Sequence, residues 1–105
     1  MVDLADEKQA TDIVLLDLRQ VSLLADYFVI CTAGSQRQIN AIIDHVLTEV
    51  KKEGRLALHV EGEPSSGWIL LDYGDVVLHV LAEEQREYYR LEDVWNKAVV
   101  VLKLQ

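Results

Sequence analysis

The sequence is poor in several things at once. In 105 residues it has one cysteine, one proline, one methionine and one phenylalanine. The lone cysteine, Cys31, excludes an internal disulfide and any cysteine-rich metal cluster, and it points to a reducing compartment. Basic residues are scarce: 10 Lys and Arg stand against 18 Asp and Glu, a formal net charge of −8. That excludes a binder of bare phosphate backbone, which needs clustered lysine and arginine to displace counterions. It equally excludes a polybasic membrane-surface module. No apolar run approaches the ~20 residues of a membrane-spanning helix. The first residues, Met1 to Glu7, carry neither a basic-then-apolar signal nor an Arg-rich transit pattern. Cytoplasm is therefore the expected compartment, with an organelle matrix as the alternative if a transit peptide has been removed.

What is present is a globular composition, half apolar and 27% charged. A chain of this length buries roughly two thirds of its unfolded surface, enough for one core without staples. There is no repeat, linker or low-complexity stretch, so residues 1–105 read as a single domain.

One helix stands out. Ile39, Ile42, Ile43, Val46, Leu47 and Val50 recur at the spacing of one helical face. Ser35 with Gln38 three residues on forms a capping box, and Gly54 suits the left-handed position past the end. The spacing predicts a helix over Ser35 to Glu53. Strands are predicted at Ile13–Leu18, Asp26–Thr32, Leu56–Val60, Trp68–Tyr73 and Val76–Leu81, from apolar and β-branched runs. Val2 to Ala10 reads as a short helical turn, and Glu61 to Gly67 as the long loop. Leu91, Val94, Trp95 and Ala98 suggest a further helix. Val99 to Leu102 suits either its continuation or a strand. The expected fold class is α/β: a single mixed sheet of about five strands with flanking helices.

Gly74-Asp75 is a two-residue hairpin signal. Turning there places Tyr73 by Val76, Leu71 by Leu78 and Ile69 by Val80, an apolar face that must be core. The opposite face then carries Trp68, Leu70 and Asp72 beside Val77, His79 and Leu81. A tryptophan, aliphatics, a carboxylate and an imidazole on one face suit partner recognition. The alternative is that a helix covers this face, leaving His79 and Asp72 at its margins. Charge is uneven as well. From His59 to Asp93 nine carboxylates face two arginines. This is either a solvated face that favours solubility or an acidic rim that steers a basic partner.

Other chemistry is thin. His45, His59 and His79 lack metal-ligand spacing, and Cys31 in mid-strand reads as a small buried hydrophobe. Gly34-Ser35 between strand and helix is similar to the Gly-Ser start of nucleotidyltransferases. Those enzymes need paired carboxylates soon afterwards to hold magnesium, and here a helix without such a pair follows. Asp72 and Asp75 alone do not make a metal site. No catalytic residue, metal or cofactor is expected.

Four blocks in order carry a resemblance. They are Leu24 to Gln38, Val60 to Glu63, Gly67 to Val80 (Gly-Trp-Ile-Leu-Leu-Asp-Tyr-Gly-Asp-Val-Val-Leu-His-Val), and Arg86 to Trp95 (Arg-Glu-Tyr-Tyr-Arg-Leu-Glu-Asp-Val-Trp). Together they resemble the Iojap family, whose bacterial members are ribosomal silencing factors. The resemblance covers about Ala10 to Trp95. It implies a nucleotidyltransferase-like fold without the catalytic carboxylates. It also implies binding to ribosomal protein fourteen of the large subunit, where the factor sterically blocks the small subunit and represses translation under nutrient limitation. Organelle relatives act in large-subunit assembly. Relative to the family, the first helix is short, and Asn96 to Gln105 matches none of the four blocks. On this basis Trp68, Leu70, Asp72 and His79 are the expected contact face. Tyr73 and Asp75 border the turn, although the register sends Tyr73 toward the core. Glu83, Glu84, Arg86 and Tyr88 form the expected rim. Apolar surface beside the short N-terminus also suits a homodimer.

Overall fold

The computed structural model describes residues 1–23, 25–90 and 99–104. A six-stranded mixed sheet forms the centre of the α/β fold, in the order β3-β4-β5-β2-β1-β6. The strands are β1 (Thr11–Asp17), β2 (Tyr27–Ala33), β3 (His59–Glu63), β4 (Trp68–Asp72), β5 (Val76–Ala82) and β6 (Val99–Leu104). Among the described residues three helices accompany them: α1 (Val2–Glu7), α2 (Gln36–Lys52) and α3 (Glu83–Tyr89). Only β2 and β5 run parallel; the other neighbouring pairs are antiparallel.

The strong helix forms for the reasons its sequence gives. Ser35 is the N-cap, and its Oγ accepts the Gln38 amide N–H at 3.1 Å. The box closes one residue early: Gln38 Oε1 accepts from Gly34 N, not from the cap itself. Gln38 Nε2 donates to the carbonyls of Lys8 and Gln9, tying α2 to the end of α1. Gly54 takes the left-handed conformation (φ +91°) that a Cβ would strain.

α2 lays Ile39, Ile42, Ile43, Val46 and Val50 on one face of the sheet. There they meet Ile13, Val29, Cys31, Ile69, Leu71, Leu78 and Val80 in the main core. A smaller cluster of Val14, Leu16, Leu18, Ile30 and Leu81 occupies the other face. Clusters on both faces of the sheet explain why β2 is buried along most of its length.

Three expectations change. The sheet has six strands rather than five, because the tail forms β6 against β1. The third strand is His59–Glu63, not Leu56–Val60. This edge strand is exposed throughout, so its limits follow backbone pairing with β4 rather than apolar content. Glu61–Glu63 accordingly leave the expected loop, and Pro64–Ser66 form one 3₁₀ turn. The helix expected around Leu91, Val94, Trp95 and Ala98 lies outside the described residues.

Candidate functional site

The hairpin register is as the turn predicts: Leu71 pairs with Leu78, Ile69 with Val80, Leu70 with His79 and Asp72 with Val77. Tyr73 N–H donates to Val76 O at 2.9 Å and closes the turn. The face away from α2 therefore presents Trp68, Leu70 and Asp72, all half-buried, beside Val77 and His79. β2 extends this face with Phe28, the register partner of Val77.

His79 is only 6% exposed, so it works beneath this surface rather than on it. Its Nδ1 accepts the Trp68 Nε1–H at 3.2 Å, and its ring meets Phe28 edge-on at 4.6 Å. Burial pushes the imidazole down to about 4, so it is neutral at physiological pH. Trp68 also packs on Tyr89 of α3 at 4.7 Å between ring centroids. Tyr89 in turn meets the exposed Tyr88 edge-on at 5.0 Å.

α3 covers one end of the face. Arg86 Nη1 reaches under it to donate to Thr32 Oγ1 at 3.0 Å, while Glu83 and Glu84 stand exposed in its first turn. The covering helix is thus present at one end of the face only. A helix caps the Thr32 end, and Leu70, Asp72, Val77 and Phe28 stay half-open.

Tyr73 and Asp75 both meet Arg55. Tyr73 is 4% exposed and lies in the α2-side core, as its register implies. The Arg55 guanidinium sits 5.6 Å from its ring centroid and donates to its carbonyl. Asp75 is exposed at the turn but bonded to Arg55, which holds its carboxyl below the usual range. Asp72 is shared: its Oδ1 accepts Gly74 N–H at 2.7 Å, so this carboxylate also fixes the turn.

Sequence reading missed the groove at the β3 end. An open groove of about 360 Å³ runs between Glu61, Trp68, Leu70, Gln85 and Tyr89. The run from Glu61 to Gly67 predicts a loop there, and Tyr89 joins only because α3 brings its ring onto Trp68. The one available signal is the Tyr88-Tyr89 pair in the stretch after the hairpin.

The remaining chemistry is structural. Burial pushes the Cys31 thiol up to about 12, which suits a core residue and not a nucleophile. His45 Nε2 lies 3.0 Å from Glu7 Oε1 and links α2 to α1. Among the described residues no group of three His, Cys, Asp or Glu side chains could hold a metal ion.

Comparison with known proteins gives this face its context. The chain matches the family described as "Ribosomal silencing factor during starvation" over residues 1–105, farther than the four sequence blocks reach. It is 41% identical over 93 residues to the ribosomal silencing factor RsfS of Bacillus subtilis, covering 89% of this chain and 79% of that protein. It is 37% identical over 95 residues to RsfS of Haemophilus influenzae, covering 90% and 93%. A crystal structure of a Chromobacterium violaceum protein superposes with a TM-score of 0.86 at 32% identity, covering 90% of this chain and 79% of that one. The chain belongs to the ribosomal silencing factor family, which also includes the plant Iojap proteins.

Proposed function

We propose that the protein docks its Trp68 face on a basic protein of the large ribosomal subunit, ribosomal protein fourteen, and thereby keeps the small subunit from joining. It acts as a single-domain cytoplasmic binding protein rather than an enzyme. Family membership supports the ribosome as target. The observation that carries the docking face is Trp68, held half-open between His79 and Tyr89 within an acidic stretch. Aromatic side chains fixed in this way dominate interface energies, and surrounding carboxylates steer a basic partner and exclude RNA phosphates. Trp68 and Leu70 supply area to desolvate. Asp72, Glu83, Glu84 and Tyr88 border it, and Asp75 marks the turn end. Buried His79 and half-buried Arg86 hold the surface from behind.

The test adds purified protein to separated ribosomal subunits and follows joining on a gradient. Wild type is expected to keep the subunits apart. Trp68→Ala, checked for folding by circular dichroism, is expected to lose about 2 kcal/mol or more of large-subunit binding. A folded Trp68→Ala protein that blocks joining as wild type does would sink the assignment.

A further inference from the structure

The groove beside Trp68 has a chemistry more specific than the face around it. Its volume, about 360 Å³, lies at the small end of the range for organic ligands, roughly 300–1,000 Å³. That is room for one long side chain. Trp68, Leu70 and Tyr89 line it with aromatic and aliphatic surface, and Ser66 and Gln85 add neutral polar groups. Among the described residues Glu61 is the one charged residue of the lining, and no lysine or arginine lines it. Glu61 pairs directly with Leu70 across β3 and β4, so its side chain rises on the groove side of the sheet. Glu61 is exposed and forms no ion pair among the described residues. Trp68 and Tyr89 are tilted together at 4.7 Å and 52°, too close for a third ring between them. An occupant must lie across their outer surfaces.

We propose that this groove takes one arginine side chain of the protein that docks on the Trp68 face. The proposal rests on that docking and names its anchor. The aliphatic stem of an arginine matches Leu70. Its flat, weakly hydrated guanidinium stacks on aromatic surface and forks onto a carboxylate in two hydrogen bonds. A lysine would offer a strongly hydrated point charge with no plane to stack. A leucine or phenylalanine would desolvate Glu61 with nothing in return. A nucleotide would set its phosphate against Glu61 and the neighbouring Glu63.

Two measurements test this. In the first, binding of the full chain to large subunits is followed by co-sedimentation at low and high salt. Glu61→Lys is expected to weaken binding about tenfold or more, and Glu61→Gln less. Both should flatten the salt dependence relative to wild type. Glu61 is exposed on an edge strand, so both variants should fold, and circular dichroism checks this. If Trp68→Ala abolishes binding while folded Glu61→Lys binds as wild type does, the docking face stands and the arginine groove falls. If both variants bind as wild type does, the docking face falls as well.

The second measurement needs no ribosome. The N-acetyl amides of arginine, lysine and leucine are titrated into ¹⁵N-labelled protein, and the Gly62 amide and Trp68 indole resonances are followed. Arginine is expected to shift them saturably and further than the other two. Equal shifts from leucine or lysine, or no response to any of the three, would overturn the proposal.

Discussion

Trp68 donates its indole N–H to Nδ1 of His79 at 3.2 Å, and this bond fixes the tautomer of the histidine. With Nδ1 accepting, the ring proton sits on Nε2, which is buried and has no hydrogen-bond partner among the described residues. Adding a second proton would place two N–H donors face to face and bury a charge.

A pH dependence follows from that arrangement. The folded-state value of about 4 lies below the unfolded reference of 6.5. Between these values the unfolded chain binds the proton and the folded chain does not, so stability falls as the pH drops through this window. The loss is about 2 kcal/mol between neutral pH and about pH 5, and about 3 kcal/mol once both forms are protonated. Urea unfolding of wild type and of His79→Leu at both pH values checks it. The variant should lack this component of the acid sensitivity. Equal acid sensitivity in the two proteins would show that His79 is not held neutral.

The hairpin register and the α2 helix were legible because each rests on a local signal. Gly74-Asp75 sets the turn, and Ile39 to Val50 repeat on one face. β3 was legible only in part, since its exposed residues pair through backbone and leave no apolar signature. The groove was hidden for a related reason. It joins Glu61 on β3, Trp68 on β4 and Tyr89 on α3, and only tertiary contact brings the three together.

Gly62 shows how closely β3 is held. Its φ is +92°, and a Cβ built there would collide with the Trp68 carbonyl oxygen. Gly62→Ala therefore combines left-handed strain with a clash against backbone, and should destabilise the fold by about 2 kcal/mol or more. Faster amide exchange should appear along His59–Glu63 in particular. Thermal unfolding and hydrogen exchange measure both. A variant within about 0.5 kcal/mol of wild type would contradict the described pairing of β3.

Gln38 fastens the end of α1 to the start of α2. It accepts from Gly34 N–H and donates to the carbonyls of Lys8 and Gln9. Gln9 is itself held at positive φ (64°). Gln38→Ala removes all three bonds and is expected to cost about 1–2 kcal/mol. The effect should be local first, with raised exchange in Val2–Glu7 before the sheet loosens. Unchanged exchange across α1 would show that the Glu7–His45 contact and the packing of α1 on the main core suffice without it.

Tyr73 separates a core role from a contact role. Its hydroxyl is buried without a hydrogen-bond partner among the described residues, and burial raises its pKa, with nearby Arg55 opposing the shift. An unsatisfied buried hydroxyl costs about 1–3 kcal/mol. Tyr73→Phe keeps the ring between Arg55 and the α2-side core and removes that cost, so stability should stay level or rise by about 1 kcal/mol. Binding to the large subunit should not change, because the side chain lies on the face opposite Trp68. Denaturant unfolding gives the first quantity and co-sedimentation the second. Weaker subunit binding by a Tyr73→Phe protein of undiminished stability would mean that this hydroxyl reaches the partner, and that the hairpin opens when it docks.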